Sequence, residues 1–443
     1  MSSNYCHRLV AHGLSATEAE AKGRLFEAAD ERLRLRPGEP AGRWFVPGRI
    51  EVLGKHTDYC GGPSLLCAAE RGMCVVAVRR ADHRVEAQDA VSGEHTTFTV
   101  SPSLDATTGW ANYVRTVARR LARNFPGAEQ GARIAFASDL PRGSGMSSSS
   151  ALVVGIFSAL AWANRVQVRP EYAANVKSSE DLAGYLGCIE NGQSFGALAG
   201  DHGVGTFGGS EDHTAILCSQ TGRLALYRFC PVELQRRIPL PADYVFAVAM
   251  SGMKAAKTGE ARESYNSASL AAAEVFDTLK AASGRNYASL YELVAASSAE
   301  REELREKLRT CHSKFDPLRR FDHYCREAFE VIPAAVAALE AGDYAEFGRQ
   351  VDASQMAAQE LLQNQVAETI ALAQLAREAG AVATSAFGAG FGGSVWALVR
   401  CGEAEQTLSN WRDAYLRQFP ARAFDSRFFL TSPGPGLITL SPE

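Results

Sequence analysis

The chain has 443 residues, of which 46% are hydrophobic and 22% charged, and its formal net charge is −4. This length is too great for one small core and predicts two packed domains. The slight negative charge gives no broad attraction to nucleic acid or to an anionic membrane, so neither is expected as a partner and any phosphate binding must be local.

Cysteine usage and the apolar segments bear on the compartment. The ten cysteines are scattered without a C-x-x-C pair, which predicts reduced thiols and no zinc site. The opening residues lack the apolar region of a signal peptide, and the longest apolar stretch, near residues 151–163, is too short to span a bilayer. We expect a cytoplasmic protein without a membrane partner, and both a monomer and a homodimer are open.

Strands and helices are predicted in separate blocks without an internal repeat, which indicates an α+β fold. Pro47 and Gly48 break the first predicted strand. In chain order, the predicted elements are a strand over 44–54, a strand over 74–80, a helix over 110–123, a strand over 132–141, a helix from residue 151, a hairpin over 214–229 and a strand over 244–252. Ala- and Glu-rich helices follow to about residue 380, and glycine-flanked strands close the chain.

The segment "PRGSGMSSSS" (141–150) stands directly before the apolar stretch "ALVVGIFSALAWA". Glycine permits a close backbone approach to a ligand, and the start of the following helix offers N–H groups and the positive end of its dipole. Together they predict a phosphate site. A flexible linker or a simple N-cap is the alternative, and the P-loop pattern is excluded because no lysine follows the second glycine.

Two further segments carry a related signal. "PGRIEVLGKHTDYCGG" (47–62) places Arg49, Lys55, His56 and Asp58 among glycines, and "GAGFGGS" (388–394) is a second glycine loop beside a strand. In this order, and with "WANYV" and "GGSEDHTAIL" between them, the segments resemble the signatures of the GHMP small-molecule kinases, in particular of their galactokinase-like branch. The resemblance runs from about residue 43 to the end of the chain.

The resemblance implies a two-domain α+β GHMP kinase fold, with ATP and the substrate held in the cleft between the domains. We expect an N-terminal domain over residues 1–235 and a C-terminal domain over 236–443, with the option that the last strand returns to the N-terminal domain. The first glycine loop would wrap the ATP phosphates. Its expected ATP-binding residues are Pro141, Gly143, Ser144, Gly145, Met146, Ser147, Ser148 and Ser149.

The resemblance also supplies candidates for phosphoryl transfer. Asp212 aligns with the family's catalytic aspartate and would accept the acceptor's proton or orient the sugar, while Arg49 and Mg²⁺ stabilise the transition state. The neighbouring Glu211 is the local competitor for this role. Ser148 and Glu190 would ligate Mg²⁺, although Glu190 also fits an exposed helix carboxylate, and the extra segment 196–207 separates it from Asp212.

Three residues are the expected sugar ligands. His56 and Asp58 match sugar-hydroxyl ligands of the branch, and Tyr265 matches its sugar-lining tyrosine in a loose register. On the residues alone, a histidine near glycines also fits a surface or capping residue. An isolated tyrosine also fits plain packing.

Lys55 departs from the galactokinase pattern, which has glutamate at this position in the sequence G-E-H-T-D-Y. An ammonium group only donates hydrogen bonds and prefers an anion. Lys55 therefore either contacts a carboxylate or phosphate at the distal end of the sugar, or points to solvent or pairs with a neighbouring carboxylate.

The sequence thus predicts ATP-dependent phosphorylation of the anomeric hydroxyl of a sugar or sugar derivative, with a distal carboxylate or phosphate as one option. Galactokinase proper is an alternative. A kinase for a non-sugar alcohol and a catalytically silent regulator that binds sugar and ATP are the others. The H-T-D-Y segment argues against the former, and the serine loop together with Asp212 argues against the latter.

Overall fold

The structure is a computed structural model, and it describes residues 2–36, 38–141, 143, 145–253, 260–295, 297–309, 311 and 313–440. The α-helices in this part of the chain are α1 (Ser2–Ala11), α2 (Ala16–Leu33), α3 (Trp110–Asn124), α4 (Ser148–Asn164), α5 (Pro170–Asn175), α6 (Ser179–Asn191), α7 (Glu211–Cys218), α8 (Glu260–Ser283), α9 (Leu290–Val294), α10 (Ser298–Leu308), α11 (Pro317–Cys325), α12 (Ile332–Ala341), α13 (Tyr344–Ala357), α14 (Ala367–Glu378) and α15 (Ala404–Gln418). The strands are β1 (Gly42–Leu53), β2 (Pro63–Arg79), β3 (Arg84–Asp89), β4 (His95–Thr99), β5 (Ala132–Ser138), β6 (Arg223–Arg228), β7 (Glu233–Pro239), β8 (Tyr244–Met250), β9 (Ala383–Phe387), β10 (Ser394–Arg400), β11 (Arg427–Thr431), β12 (Pro433–Gly434) and β13 (Ile438–Thr439).

The larger sheet has the strand order β13-β1-β2-β5-β3-β4, and β6 and β12 also pair with β2 while β7 pairs with β6. Its pairs are antiparallel except that of β3 with β5. β1 is continuous through the predicted break, with a register shift between Pro47 and Arg49. Such a bulge re-aims the adjacent side chains, and Arg49 faces the cavity described below.

Helices cover both faces of this sheet, which explains why β1 and β2 are almost entirely apolar. Val46 and Val75 pack into a core with α3, α4 and α6. Their neighbours Phe45 and Cys74 point the other way, against the N-terminal helices α1 and α2. Alternate side chains of one strand therefore enter two different cores.

The smaller sheet has the order β11-β8-β10-β9 and is antiparallel throughout. On one face, Val395 and Ala397 pack with Trp411 of α15. On the other face, Trp396 and Phe246 join the main core. Two sheets with separate groups of helices confirm the α+β prediction.

Two predictions about local structure are wrong. Residues 214–218, predicted as the first strand of a hairpin, belong to α7, whose first turn carries Glu211 and Asp212. Acidic residues stabilise a helix N-terminus, and the hairpin forms instead between β6 and β7. The helix predicted from residue 151 begins three residues earlier, at Ser148.

The last strands and the middle of the chain bear on the domain division. The C-terminal β12 and β13 pair with β2 and β1 of the larger sheet. The predicted boundary between residues 235 and 236 falls inside β7, which pairs with β6 in that sheet. A domain boundary at that point would divide β7 and separate part of it from its partner β6. Across the described residues, no helix combines the length and apolar character that crossing a membrane requires.

Candidate active site

A cavity of about 1020 Å³ lies between the two halves of the chain. The N-terminal half contributes the ends of β1 and β3, the start of α3, the first glycine loop and the start of α7. Tyr265 on α8 and the second glycine loop, through Gly388 and Ala389, contribute from the C-terminal half. This volume is at the upper end of the range for ligand sites, so a nucleotide and a small acceptor fit together.

The first glycine loop leads into α4 and lines this cavity. Gly143, Gly145 and Ser147 have positive φ angles of 68°, 78° and 62°, so the chain turns sharply before the helix begins. The guanidinium of Arg49 donates to the carbonyl of Gly145, and the backbone N–H of Arg49 donates to the carbonyl of Met146 at 3.4 Å. The loop is thereby held against β1, with the N-terminus of α4 at the cavity wall.

The expected ATP-binding residues divide into three groups. Pro141 does not line the cavity, and the Met146 side chain is fully buried in the core, so any contribution of Met146 to nucleotide binding comes from its backbone. Ser144 lies outside the described residues. The members of the set that line the cavity are Gly143, Gly145, Ser147, Ser148 and Ser149.

The two glycine loops are in direct contact. A Cβ atom on Gly388, where φ is 82°, would come within 2.7 Å of the carbonyl oxygen of Gly145. A Cβ atom on Gly145 would lie 3.1 Å from the carbonyl oxygen of Phe387. A side chain at Gly388 would collide with the backbone, and one at Gly145 would force the neighbouring backbone to shift; with positive φ at both positions, this contact explains why glycine occupies them.

Arg49 and Asp212 form a partly buried ion pair at the floor of the cavity. The Nε atom of Arg49 donates to Oδ1 of Asp212 at 2.7 Å, and Oε1 of Glu211 lies 3.8 Å from the same nitrogen. Burial lowers the pKa of Arg49, but the charges of Asp212, Glu211 and Glu51 outweigh it and raise the pKa overall. Asp212 stands in the first turn of α7, where the helix dipole favours a carboxylate.

Glu190 near the end of α6 lies beside the ion pair. Its Oε2 atom accepts a hydrogen bond from Oγ of Ser150 at 2.9 Å and lies 3.2 Å from Nε2 of His213. The same Ser150 hydroxyl is 3.2 Å from Oδ2 of Asp212. The serine that contacts Glu190 is Ser150, whereas Ser148, the predicted Mg²⁺ ligand, stands at the first position of α4 and lines the cavity.

These oxygen atoms suit Mg²⁺. The ion prefers carboxylate and hydroxyl oxygens and keeps several positions for water and phosphate. The described residues include no cluster of three or more His, Cys, Asp or Glu side chains suited to a metal. A magnesium ion here would therefore take Glu190, a serine hydroxyl at the start of α4 and nucleotide oxygens.

His56, Asp58 and Tyr265 come together at the other end of the cavity. The His56 ring contacts the hydroxyl of Tyr59 at 3.0 Å and the carbonyl of Ala389 at 3.1 Å, and its centroid is 5.5 Å from that of Tyr265. Oδ2 of Asp58 accepts the backbone N–H of Glu211 at 3.1 Å. Burial, with the nearby charge of Asp212, raises the pKa of Asp58.

Lys55 does not line the cavity, although its neighbour His56 does. Its side chain is 1% exposed, and Nζ donates to Oγ of Ser385 at 2.7 Å and to Oγ of Ser354 at 3.1 Å. The prediction that Lys55 points to solvent is wrong. The prediction of a contact with a sugar anion has no geometric support, because the ammonium group is directed to hydroxyls of α13 and β9 in the interior.

Sequence reasoning missed several residues of the site. Glu51 lines the cavity, and the only signal for it was a charge within an apolar strand. Arg320 on α11 donates to the carbonyl of His56 and to the hydroxyl of Tyr59, the latter at 3.3 Å. Glu327, just after α11, accepts the backbone N–H of Gly54 at 2.8 Å. Nothing near these two residues in the chain indicates that they anchor the loop carrying His56 and Asp58.

The comparisons with known families agree with this arrangement. The galactokinase galactose-binding signature matches residues 36–80, the GHMP kinases N terminal domain matches 112–192, and the GHMP kinases C terminal domain matches 335–417. The first match contains β1 and the segment with His56 and Asp58, and the second contains the first glycine loop and Glu190.

Relatives and solved structures cover most of the chain. A galactokinase of Roseiflexus sp. is 29% identical over 378 residues, 84% of this chain and 86% of the relative. A galactokinase of Actinobacillus pleuropneumoniae serotype 5b is 29% identical over 387 residues, 84% of this chain and 89% of the relative. The crystal structure of Lactococcus lactis galactokinase complexed with galactose superposes with a TM-score of 0.76 at 21% identity, covering 95% of this chain and all of that one.

These matches include both glycine loops and the segment with Asp58, and they extend through both halves of the fold. The chain therefore belongs to the GHMP kinase family, in its galactokinase-like branch, and is an ATP-dependent sugar kinase.

Proposed function

We propose that the protein transfers the γ-phosphoryl group of ATP to the anomeric hydroxyl of a neutral hexose, with galactose as the first candidate. Support comes from the two relatives named galactokinase and from the fold shared with a galactokinase that binds galactose. The finer proposal of a sugar with a distal carboxylate or phosphate rested on Lys55, which does not face the cavity.

One observation carries the proposal, namely the first turn of α7. On one side, Asp212 contacts Ser150 at the N-terminus of the helix that follows the phosphate loop. On the other side, the backbone N–H of Glu211 binds Asp58 at the sugar end. Asp212 thus stands between the place for the phosphates and the place for the acceptor hydroxyl, as in-line transfer requires.

The chemistry follows from these positions. The anomeric oxygen attacks the γ-phosphorus, the bond from that phosphorus to the β–γ bridging oxygen breaks, and ADP leaves. The hydroxyl proton passes to Oδ2 of Asp212, or Asp212 orients the hydroxyl and the proton leaves to water. Arg49 and the N–H groups at the start of α4 stabilise the charge on the transferred group. Mg²⁺, when bound by Glu190 and a serine hydroxyl, would neutralise the phosphate oxygens.

The charges at the sugar end favour a neutral acceptor. Carboxylates from β1, α7 and the loop after β1 line the cavity there, and Arg49 is already paired with Asp212. A distal carboxylate or phosphate would face like charges across a desolvated space, which disfavours binding.

A substrate panel tests this proposal. We expect kcat/KM for ADP release to be larger with galactose than with galacturonic acid or galactose 6-phosphate, and phosphorus NMR to show a phosphate on the anomeric oxygen. A preference for either anionic sugar would overturn the neutral-acceptor proposal. ATP turnover with no sugar of the panel would favour a silent sugar- and ATP-binding regulator.

The role of Asp212 has its own test. Asp212→Asn retains the shape of the side chain but removes the charge, so kcat should fall by about 100-fold or more while ATP affinity changes little. Stopped-assay kinetics and calorimetry with an ATP analogue measure the two quantities. The exposed Asp82→Asn is the matched control. Near-normal turnover in folded Asp212→Asn would reject the assignment.

A further inference from the structure

Glu51 carries a carboxyl oxygen that lacks an ordinary donor. Its side chain is 3% exposed, and Oε2 accepts the backbone N–H of Gly388 at 3.2 Å. Oε1 is buried, and no N–H or O–H group among the described residues hydrogen-bonds to it. The side-chain hydrogen-bond partner of the Glu51 carboxyl is instead the carboxyl of Glu211, which lines the same cavity.

Glu211 is held from its own side. Its residue is 6% exposed, its Oε2 atom accepts the hydroxyl of Ser64 at 2.9 Å, and its Oε1 atom lies 3.8 Å from Nε of Arg49. Two ionised carboxylates only accept hydrogen bonds and repel each other, so a hydrogen bond between them requires one proton. A hydrogen bond between the two side chains therefore implies one carboxyl and one carboxylate.

The surrounding charges fit this count. A single negative charge on the Glu51–Glu211 pair is attracted by the buried cations Arg49 and Lys55 and is repelled less by Asp58 and Asp212 than two charges would be. The titratable and charged groups that face the pair come from β1, the loop after it and α7, and they are Arg49, Lys55, Asp58 and Asp212. Burial raises the pKa of both glutamates, and each is raised or lowered further by these neighbours.

We propose that Glu51 and Glu211 share one proton and are positioning residues for Arg49, a role that rests on the proposed phosphoryl transfer. Nε of Arg49 is 2.7 Å from Asp212 and 3.8 Å from Glu211, so the two carboxylates compete for one guanidinium. While the pair holds the shared proton, Arg49 stays bound to Asp212 and aligned with the path of phosphoryl transfer. Loss of the proton gives the pair a second negative charge, which draws Arg49 toward Glu211 and away from Asp212.

Infrared spectroscopy and the pH profile of kcat test the proposal in the full-length protein. At neutral pH the wild type should show the C=O stretch of a buried protonated carboxyl, and both Glu51→Gln and Glu211→Gln should lose it, since an amide bound to a carboxylate needs no shared proton. The alkaline limb of kcat should move to higher pH in both variants because glutamine does not ionise. Glu70→Gln is the matched control, because Glu70 is buried on β2 outside the cavity and binds Ser15 N and Ser432 N.

Three results would overturn the shared proton: no protonated-carboxyl band in the wild type, a band that persists in both variants, or an alkaline limb that does not move. The wild-type spectrum needs no variant, so the test stands even if a variant fails to fold. It also needs no substrate. A missing band with galactose turnover intact rejects only this inference, whereas a present band without any sugar turnover rejects only the proposed function.

Discussion

Arg49 on β1 and Lys55 on the loop after it show how cations close together in the sequence acquire different roles from their partners. Arg49 lies between carboxylates at the cavity floor, while Lys55 donates to two serine hydroxyls from the C-terminal half. Oγ of Ser354 in turn donates to Glu327, which binds the backbone of Gly54. Lys55 therefore belongs to a buried polar network that joins the loop after β1 to α13 and β9.

A charge reversal at Lys55 should act on stability rather than on substrate choice. Lys55→Glu would place a carboxylate among hydroxyls and near Glu51, so we expect a loss of about 3–5 kcal/mol in the free energy of unfolding. Lys55→Met keeps the volume without the charge and should cost less. Urea unfolding measures both.

The same variants separate the two interpretations of Lys55. The ratio of kcat/KM for galactose to that for galacturonic acid should stay within about threefold of the wild type in Lys55→Met, because the ammonium group does not reach the cavity. A large move of this ratio toward the neutral sugar would show that Lys55 contacts the substrate after all.

At the scale of elements, the site is built where two glycine loops meet. One precedes α4 and the other joins β9 to β10, and Gly145 and Gly388 allow their backbones to touch. Arg49 on β1 holds the first loop through its carbonyl groups. The phosphate site thus depends on three elements that are far apart in the sequence.

Gly145→Val should disrupt this contact. The residue has φ 78°, and a Cβ would lie 3.1 Å from a carbonyl oxygen, so the loop must move and ATP affinity should fall by at least about tenfold. Gly222→Val is the matched control, because Gly222 has φ 70° but open space around its Cβ position. Both variants share a backbone strain of about 1–2 kcal/mol. Calorimetry that finds equal ATP affinity in the two variants would show the loop to be structural only.

At the scale of the whole molecule, the C-terminal strands β12 and β13 return to the larger sheet, which begins with β1 and β2. β13 pairs with β1, and Ile438 and Leu440 are buried against the core of α1 and α2. Helices α8 to α15 therefore lie between strands of one sheet in the sequence. The N-terminal and C-terminal halves of the chain therefore share strands in the larger sheet.

A chain that ends at Ser432 should accordingly be unstable. It loses β12 and β13 and leaves apolar surface of β1 exposed. The burial of Ile438 and Leu440 alone contributes about 3–6 kcal/mol to the free energy of unfolding. This is a large share of the stability of a typical protein. A chain that ends at Leu440 keeps both strands and is the control. Equal melting temperatures for the two chains would contradict this expectation.

Stability should also respond to pH through the buried carboxyls. The pKa values of Glu51, Glu211 and Asp58 are raised by burial, so the folded chain holds protons that the unfolded chain releases at about pH 4–5. The contribution of these groups to the free energy of unfolding is complete below that pH and is lost as the pH rises through their raised pKa values in the folded chain.

The difference between wild type and Glu211→Gln isolates this effect. We expect the free energy of unfolding of the wild type to fall more steeply with rising pH than that of the variant. The pKa of His323, lowered by burial, acts in the opposite direction but is common to both proteins. Parallel curves from urea unfolding at several pH values would show that Glu211 holds no additional proton.

The sequence by itself determined the parts of the protein whose signal is local. The separate blocks of strands and helices predicted the fold class, and the glycine- and serine-rich segments, in their order along the chain, predicted the family. They also predicted that Arg49, His56, Asp58, Glu190, Asp212 and Tyr265 would share one site, and the cavity contains all of these residues.

Only the tertiary structure decided which partners the charged groups have. Lys55 lies on the loop after β1 and Glu51 on β1 itself, so they are close in the sequence. Yet Lys55 donates to serines about 300 positions later, and Glu51 pairs with Glu211. Residues 214–218 of α7 were predicted as a strand, since their apolar residues fit either period in so short a run. The physical reason is common to these cases: desolvation and pairing depend on distances between distant segments, and local sequence does not contain them.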